Sequence, residues 1–176
     1  NHLIRKVDSN GNVTTFAGKD GVAGSSNGQG TSAEFSQPKS IAIDSSGNIY
    51  VADLNNQLIR KIDSSGNVTI FAGQTGVTGS NNGQGTDASF FHPDGLDVDS
   101  SGNIYIADIY NNLIRKIDPS GYVTTLAGQT GFSGSENGQG TSAMFNEPRG
   151  ISVDLSGNVY VADHKNLLIR KIDPSG

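Results

Sequence analysis

The chain has 176 residues, of which 24 are glycine and none is cysteine or tryptophan, and its formal net charge is −5. The absence of cysteine excludes disulfide bonds, thiolate zinc sites and thiol catalysis. Eight of the twelve Lys and Arg residues belong to Arg-Lys pairs spread along the chain, so the basic charge is not concentrated and we expect no nucleic-acid partner. No run of residues has the pattern of a signal peptide or a membrane span, and we expect no membrane partner.

A unit of 55 residues accounts for the whole chain. The same phrase, Leu-Ile-Arg-Lys-(Val/Ile)-Asp, begins at Leu3, Leu58, Leu113 and Leu168. Self-similarity at a fixed period indicates a repeat architecture. The chain therefore contains three copies of the unit and the start of a fourth.

Each complete unit contains four short apolar runs separated by turn residues, and no window has sustained helical periodicity. Four strands per unit is the content of one β-propeller blade. The second strand is apolar on both faces, as at Val51 and Ala52, which favours a sheet packed between two others. We predict one all-β domain, residues 1–176, in four parts. These are a half blade with strands three and four (1–18), two blades (40–73 and 95–128) and a partial blade with a surplus third strand (150–176).

The repeated text resembles the NHL repeat. Its core is Asn-x-Leu-Ile-Arg-Lys, preceded by Tyr-(Val/Ile)-Ala-Asp and followed by Asp-x-x-Gly, and the chain itself starts Asn1-His2-Leu3. The resemblance covers essentially the whole chain. It implies closure as a six-bladed propeller, functions that range from protein and RNA contacts to metal-assisted chemistry, and a location in exported bacterial proteins.

The strand count leaves the ring incomplete. Three blades are fewer than the four to eight that propellers use, and an open stack would expose two apolar sheet faces. We therefore predict a homodimer in which two chains join head to tail and close a six-bladed ring. The third strand occurs at both ends of the chain, so one of its two copies would be displaced, frayed or added as an extra edge at each junction. The alternative is that these residues are part of a longer chain that carries the missing blades.

Two repeated features are interpreted as structural. Arg60 and its counterparts are expected to pair with neighbouring Asp side chains, as exposed ion pairs of ~0.2–1 kcal/mol each. Phe35, Phe90 and Phe145 are expected to pin the glycine-rich connections between blades onto the core.

Side chains vary between the copies mainly at one end of the blades. In a propeller, the loop between the second and third strands and the connection before the first strand emerge on the same face. Because binding residues usually lie on loops of a rigid scaffold, we predict that this face binds a ligand around the channel mouth. The alternative is that unconstrained surface loops have simply diverged. The predicted ligand-binding residues are Gln37, Lys39, Leu54, Asn55, His92, Asp94, Ile109, Tyr110, Glu147, Arg149, His164 and Lys165.

One departure from the repeat raises the possibility of a metal site. Asp97 stands in the innermost strand, where the other copies have Ala42 and Ser152. Together with His92 and Asp94 it offers imidazole and carboxylate ligands of the type that zinc, manganese or calcium accept. The alternative is that Asp97 hydrogen-bonds to backbone or water beside the channel.

The sequence favours a non-enzymatic interaction scaffold that binds a protein or another ligand on the variable face and uses no cofactor. A metal-assisted hydrolase or lyase with a site at the central channel is the alternative. Catalysis needs more positioned groups than the sequence visibly supplies.

Overall fold

The chain folds as an all-β protein. The computed structural model describes residues 1–176 and contains fifteen strands and six one-turn 3-10 helices, with no α-helix. No helix in it has the length and apolar character needed to cross a membrane. The all-β prediction is thereby confirmed.

The strands are short, with two to six residues each. They are β1 (Ile4–Val7), β2 (Val13–Ala17), β3 (Gly28–Gln29), β4 (Pro38–Ile43), β5 (Ile49–Asp53), β6 (Leu58–Ile62), β7 (Asn67–Ala72), β8 (Gly83–Gln84), β9 (Pro93–Val98), β10 (Ile104–Asp108), β11 (Leu113–Ile117), β12 (Tyr122–Ala127), β13 (Pro148–Val153), β14 (Val159–Asp163) and β15 (Leu168–Ile172). The 3-10 helices are Gly30–Ser32, Leu54–Asn56, Gly85–Asp87, Ile109–Asn111, Gly140–Ser142 and His164–Asn166.

These strands form four antiparallel sheets in chain order. The first sheet is β1-β2, the second is β3-β7-β6-β5-β4, the third is β8-β12-β11-β10-β9, and the fourth is β13-β14-β15. The second and third sheets each carry four consecutive hairpin-connected strands, as one propeller blade does. The first sheet holds only third and fourth strands, and the fourth sheet has no fourth strand.

A fifth strand in each complete sheet was not predicted from the sequence. The two-residue strand β3 precedes the second sheet in the chain and pairs with its outermost strand, Gly28 opposite Val68 and Gln29 opposite Asn67. The connection between sheets therefore runs along the outer edge of the following sheet before it enters that sheet's innermost strand.

The tight turns form as the sequence predicts. In the turn after β4, the Asp44 carboxylate accepts hydrogen bonds from the backbone N–H groups of Ser46 and Asn48, each at 2.9 Å. Gly47 takes a φ of 82°, which only glycine adopts without strain.

Apolar side chains fill the spaces between neighbouring sheets. Val51 points toward the first sheet, in a cluster with Ile4 and Phe35, whereas Ala52 points toward the third sheet, in a cluster with Phe90 and Ile104. A third cluster lies between the third and fourth sheets. This confirms that the second strand is buried on both faces because its sheet is packed between two others.

Candidate ligand-binding face

Two chain segments meet at one end of each sheet. In the second sheet, the backbone N–H of Asn55, after the second strand, donates to the carbonyl of Ser36, before the first strand, at 3.1 Å. The same hydrogen bond joins Tyr110 to Phe91 in the third sheet, and Lys165 to Asn146 in the fourth. We call this end the loop face; it consists of residues 36–39 and 53–57 and their counterparts 91–94, 108–112, 146–149 and 163–167.

A buried ion pair holds the two segments of the loop face together. In the third sheet, Asp108 accepts hydrogen bonds from the Phe91 backbone N–H at 2.7 Å, from the Asn111 side chain at 2.7 Å and from Arg115 at 3.0 Å. Arg115 also donates to the carbonyl of Ser89 in the preceding connection. Asp53 and Asp163 have the corresponding partners in the neighbouring sheets. The loops are therefore tied to the core by a hydrogen-bonded network, in which the buried Nε atoms of Arg60 and Arg115 have no hydrogen-bond partner.

Burial of this pair differs from the sequence prediction. The side chains of Asp108 and Arg115 are completely shielded from solvent, as are those of Asp53 and Arg60. Burial raises the pKa of Asp108, while Arg115 and the N–H donors act in the opposite direction. The prediction of exposed pairs was wrong because the connection between sheets folds over them, and the guanidinium of Arg115 lies 5.3 Å from the ring centroid of Phe90. The repeated Phe side chain of each connection therefore packs directly against the ion pair that it covers.

Above the ion pair of the third sheet lies an aromatic cluster. The ring centroids of Phe91 and Tyr110 are 5.0 Å apart in an edge-on arrangement, and those of His92 and Tyr110 are 4.7 Å apart. Tyr110 remains 49% exposed. The pKa of His92 is lowered by burial, although the neighbouring charge of Asp94 raises it, so the imidazole is neutral near pH 7. The cluster presents an aromatic surface with a polar rim.

A charged network adjoins the aromatic cluster. Arg149 of the fourth sheet lies 3.9 Å from Asp94 of the third sheet and 3.5 Å from Glu147, which immediately precedes its own strand. Glu147 also lies 3.9 Å from His164 and 4.0 Å from Lys165. These separations are long and the groups are partly exposed, so the network contributes little to stability and can exchange its partners for a ligand.

Family comparison identifies the repeat that builds this face. Residues 35–62 and 145–172 match the family model described as the NHL repeat. Residues 90–117 lie between them at the same 55-residue spacing. The chain is an NHL-repeat protein. Each matched segment runs from a buried Phe of the connection to the end of a third strand, and so contains both halves of the loop face.

The relatives of this NHL chain are longer proteins. The chain is 42% identical over 96 residues to the chloroplastic protein SUPPRESSOR OF QUENCHING 1 of Arabidopsis thaliana, and 37% identical over 98 residues to NHL repeat-containing protein 2 of Homo sapiens. Both alignments cover 54% of this chain, which spans 9% and 14% of the length of these relatives. A solved protein of unknown function from Bacteroides thetaiotaomicron superposes with a TM-score of 0.82 at 27% identity, over 97% of this chain and 42% of that one.

Ten of the twelve predicted residues lie on the surface of the loop face. The remaining two, Leu54 and Ile109, are only 6% and 3% exposed and cannot contact a ligand. They support the loops from below, whereas His164, at the same position of the last NHL repeat, is exposed. The third and fourth sheets bring seven predicted residues together, namely His92, Asp94, Tyr110, Glu147, Arg149, His164 and Lys165.

A contact between neighbouring NHL repeats escaped the sequence prediction. The Gln57 side chain accepts a hydrogen bond from the His92 backbone N–H, and Asn112 accepts one from Glu147 in the same way, at 2.9 Å. The His2 side chain accepts the corresponding hydrogen bond from the Gln37 backbone N–H. Each of these acceptors and each donor residue has a left-handed backbone with φ between 49° and 61°. We call this contact the inter-sheet clamp; a polar residue at this position in three copies was its sequence signal.

The three candidate metal ligands are not assembled into a metal site. Asp97 accepts hydrogen bonds from Ser152 at 3.2 Å and from the Val153 backbone N–H at 2.9 Å, both on the next sheet. No group of three or more His, Asp or Glu side chains has the spacing that holds a metal ion. Asp97 therefore cross-links two innermost strands, in line with the alternative that it bonds to backbone.

Proposed function

We propose that this NHL-repeat chain is a non-enzymatic binding scaffold that holds a protein or another ligand on its loop face. The observation that carries the proposal is the adjacency of the aromatic cluster around Tyr110 and the charged network around Glu147. Exposed aromatic rings flanked by charged groups are the composition of interface hot spots.

Rigid support under the loops favours recognition at this place. The loops of the second and third sheets are each bonded to a buried ion pair and, through the inter-sheet clamp, to the next sheet. A ligand that binds there does not have to order the loops, so less entropy is lost on binding. The corresponding positions on the second sheet hold Gln37, Lys39 and Asn55, so the surface differs from one sheet to the next and can discriminate between ligands.

Affinity capture with two matched variants tests this proposal. Tyr110 on the loop face and Tyr122 at the start of β12, at the other end of the sheet, are 49% and 46% exposed. Extract of the source cells is passed over immobilised wild-type, Tyr110→Ala and Tyr122→Ala chains, and the retained molecules are quantified. We expect a partner that is retained by the wild type and by Tyr122→Ala and reduced at least tenfold on Tyr110→Ala, the loss expected when an aromatic hot spot is truncated. Equal retention by all three chains would contradict binding through the loop face.

A further inference from the structure

The two ends of the sheet stack carry apolar side chains without a covering sheet. On the second sheet, Ile41 is 48% exposed, although its counterpart Leu96 on the third sheet is 4% exposed. On the fourth sheet, Ile169 is 76% exposed, although its counterpart Ile114 is fully buried. Contiguous apolar surface of this kind marks an interaction site in a soluble protein.

The interior of the stack shows what would cover these ends. Between the second and third sheets, Tyr50, Ala52 and Ile59 pack against Leu96, Ile104 and Ile106. The fourth sheet presents the equivalents of the first group, Tyr160, Ala162 and Ile169. The second sheet leaves exposed Ile41, the equivalent of Leu96, and Ile43, the equivalent of Val98, which packs against the same cluster. The surface at one end therefore has the composition that fits the surface at the other.

We propose that a second copy of this chain covers both ends, and that β1 and β2 of each copy complete the fourth sheet of the other. Each copy then contributes two complete blades and half of each junction blade, which makes six blades, within the range that propellers use. Because both junctions are the same contact, the assembly closes as a two-fold ring. In this ring β1 of the second copy, and not β15, is the third strand of the junction blade.

Arg5 on β1 can take the place of Arg170 in the junction blade. Arg5 is the counterpart of Arg60, yet it forms no salt bridge, and its Nε donates to the Thr14 carbonyl. Its carboxylate partner would belong to a second strand, which the first sheet lacks. In the proposed ring, Asp163 of the other copy pairs with Arg5 and releases Arg170. One ion pair replaces another, so the number of pairs is unchanged and the choice between the two strands rests on a different contact.

The inter-sheet clamp decides between the two candidate third strands. His2, just before β1, accepts the hydrogen bond from the Gln37 backbone N–H at 3.0 Å. Leu167, just before β15, occupies the same position with a φ of 58° and has no acceptor to offer. If β15 displaced β1, Gln37 would lose its partner. Choosing β1 also has a cost, because Val7 then replaces Ile172 in the core and one methylene group is lost. This loss of stability is smaller than that of leaving a backbone N–H without a hydrogen-bond acceptor at a covered interface.

Disulfide trapping in the cysteine-free chain tests both parts of the proposal. In the complete sheets, Tyr50 is opposite Lys61, and Lys61 is opposite Thr69. The double variant Tyr160→Cys/Lys6→Cys places two thiols opposite each other if β1 of the second copy joins β14. The double variant Lys171→Cys/Thr14→Cys does so if β15 joins β2 of the second copy. Each variant is oxidised and analysed by non-reducing electrophoresis and light scattering.

We expect a covalent dimer of twice 18.3 kDa from the first variant, with little from the second. A dimer trapped only by the second pair would overturn the strand assignment. A monomer in light scattering, or a ladder of larger species, would overturn the closed ring of two copies and point to covering repeats in a longer chain or to open head-to-tail growth.

A swap of the clamp residues tests why β1 is preferred. Adding His2→Leu and Leu167→Gln to both cysteine variants moves the hydrogen-bond acceptor from β1 to β15. We expect the ratio of the two trapped dimers to shift about tenfold toward the second pair, as one net hydrogen bond predicts. An unchanged ratio would show that the clamp does not select the strand and would contradict this basis of the assignment.

Discussion

The Gln57 side chain accepts a hydrogen bond from the backbone N–H of His92, with 2.7 Å between Oε1 and N. This contact joins the end of one loop to the start of the next sheet, and both residues have left-handed backbones. The loop face is therefore built from pairs of neighbouring repeats, and its geometry depends on contacts that no single repeat contains.

Removing this acceptor is expected to destabilise the chain. Gln57→Leu leaves the His92 N–H without a partner in a partly buried place, and we expect the free energy of unfolding to fall by about 1–3 kcal/mol. Leu167→Gln is the matched control, because residue 167 is exposed and contacts no following sheet; its effect should stay within about 0.5 kcal/mol. Urea denaturation measures both. Equal effects of the two substitutions would show that the hydrogen bond is not important for stability.

The buried ion pairs are expected to be sensitive to loss of one partner. Arg115→Met leaves Asp108 buried without its counter-ion, and we expect a loss of about 3–5 kcal/mol in the free energy of unfolding. Lys19→Met removes a positive charge from an exposed side chain that forms no ion pair, and its effect should be below about 0.5 kcal/mol. Chemical denaturation at neutral pH measures the difference. Similar losses in both variants would contradict a buried pair at Arg115.

His92 is expected to titrate below the usual range. Burial lowers its pKa from 6.5, and the charge of Asp94 partly opposes this, so Asp94→Asn should lower the pKa further. As the pH falls below 6.5, the unfolded chain binds a proton on this imidazole before the folded chain does. The neutral imidazole therefore favours the folded state above pH 6.5, and this contribution to stability is lost as the pH falls through the folded pKa. NMR titration of the imidazole C–H signals measures the shift. A pKa that rises in Asp94→Asn would contradict the arrangement.

Removal of metal ions is expected to leave the fold unchanged. Asp97 is engaged by Ser152 and Val153, and the chain contains no metal-binding cluster. Thermal unfolding with and without a chelator should therefore give the same midpoint, and the purified chain should carry metal well below one ion per molecule. A midpoint that falls with the chelator and is restored by zinc, manganese or calcium would favour the metal-assisted alternative.

Much of the fold follows from local sequence. The 55-residue period, the Asp-Ser-Ser-Gly-Asn turns and the apolar residues on both faces of strands such as β5 predict four-stranded antiparallel units without any three-dimensional information. These signals are local, because a turn depends on four or five neighbouring residues and a strand face on residues two apart. The loop face was likewise predictable, because both of its segments end at the same edge of a hairpin.

Tertiary structure alone decided which of those residues are available. Leu54 and Arg60 look like surface residues in the repeat, and packing of the neighbouring connection buries both. The fifth strands, the Asp97 cross-link and the inter-sheet clamp join residues about 35 to 56 positions apart. Local sequence determined the unit, because a hairpin needs only its neighbours. The folded chain decided burial, charge pairing and exposed ends, because those properties depend on which sheet lies next to which.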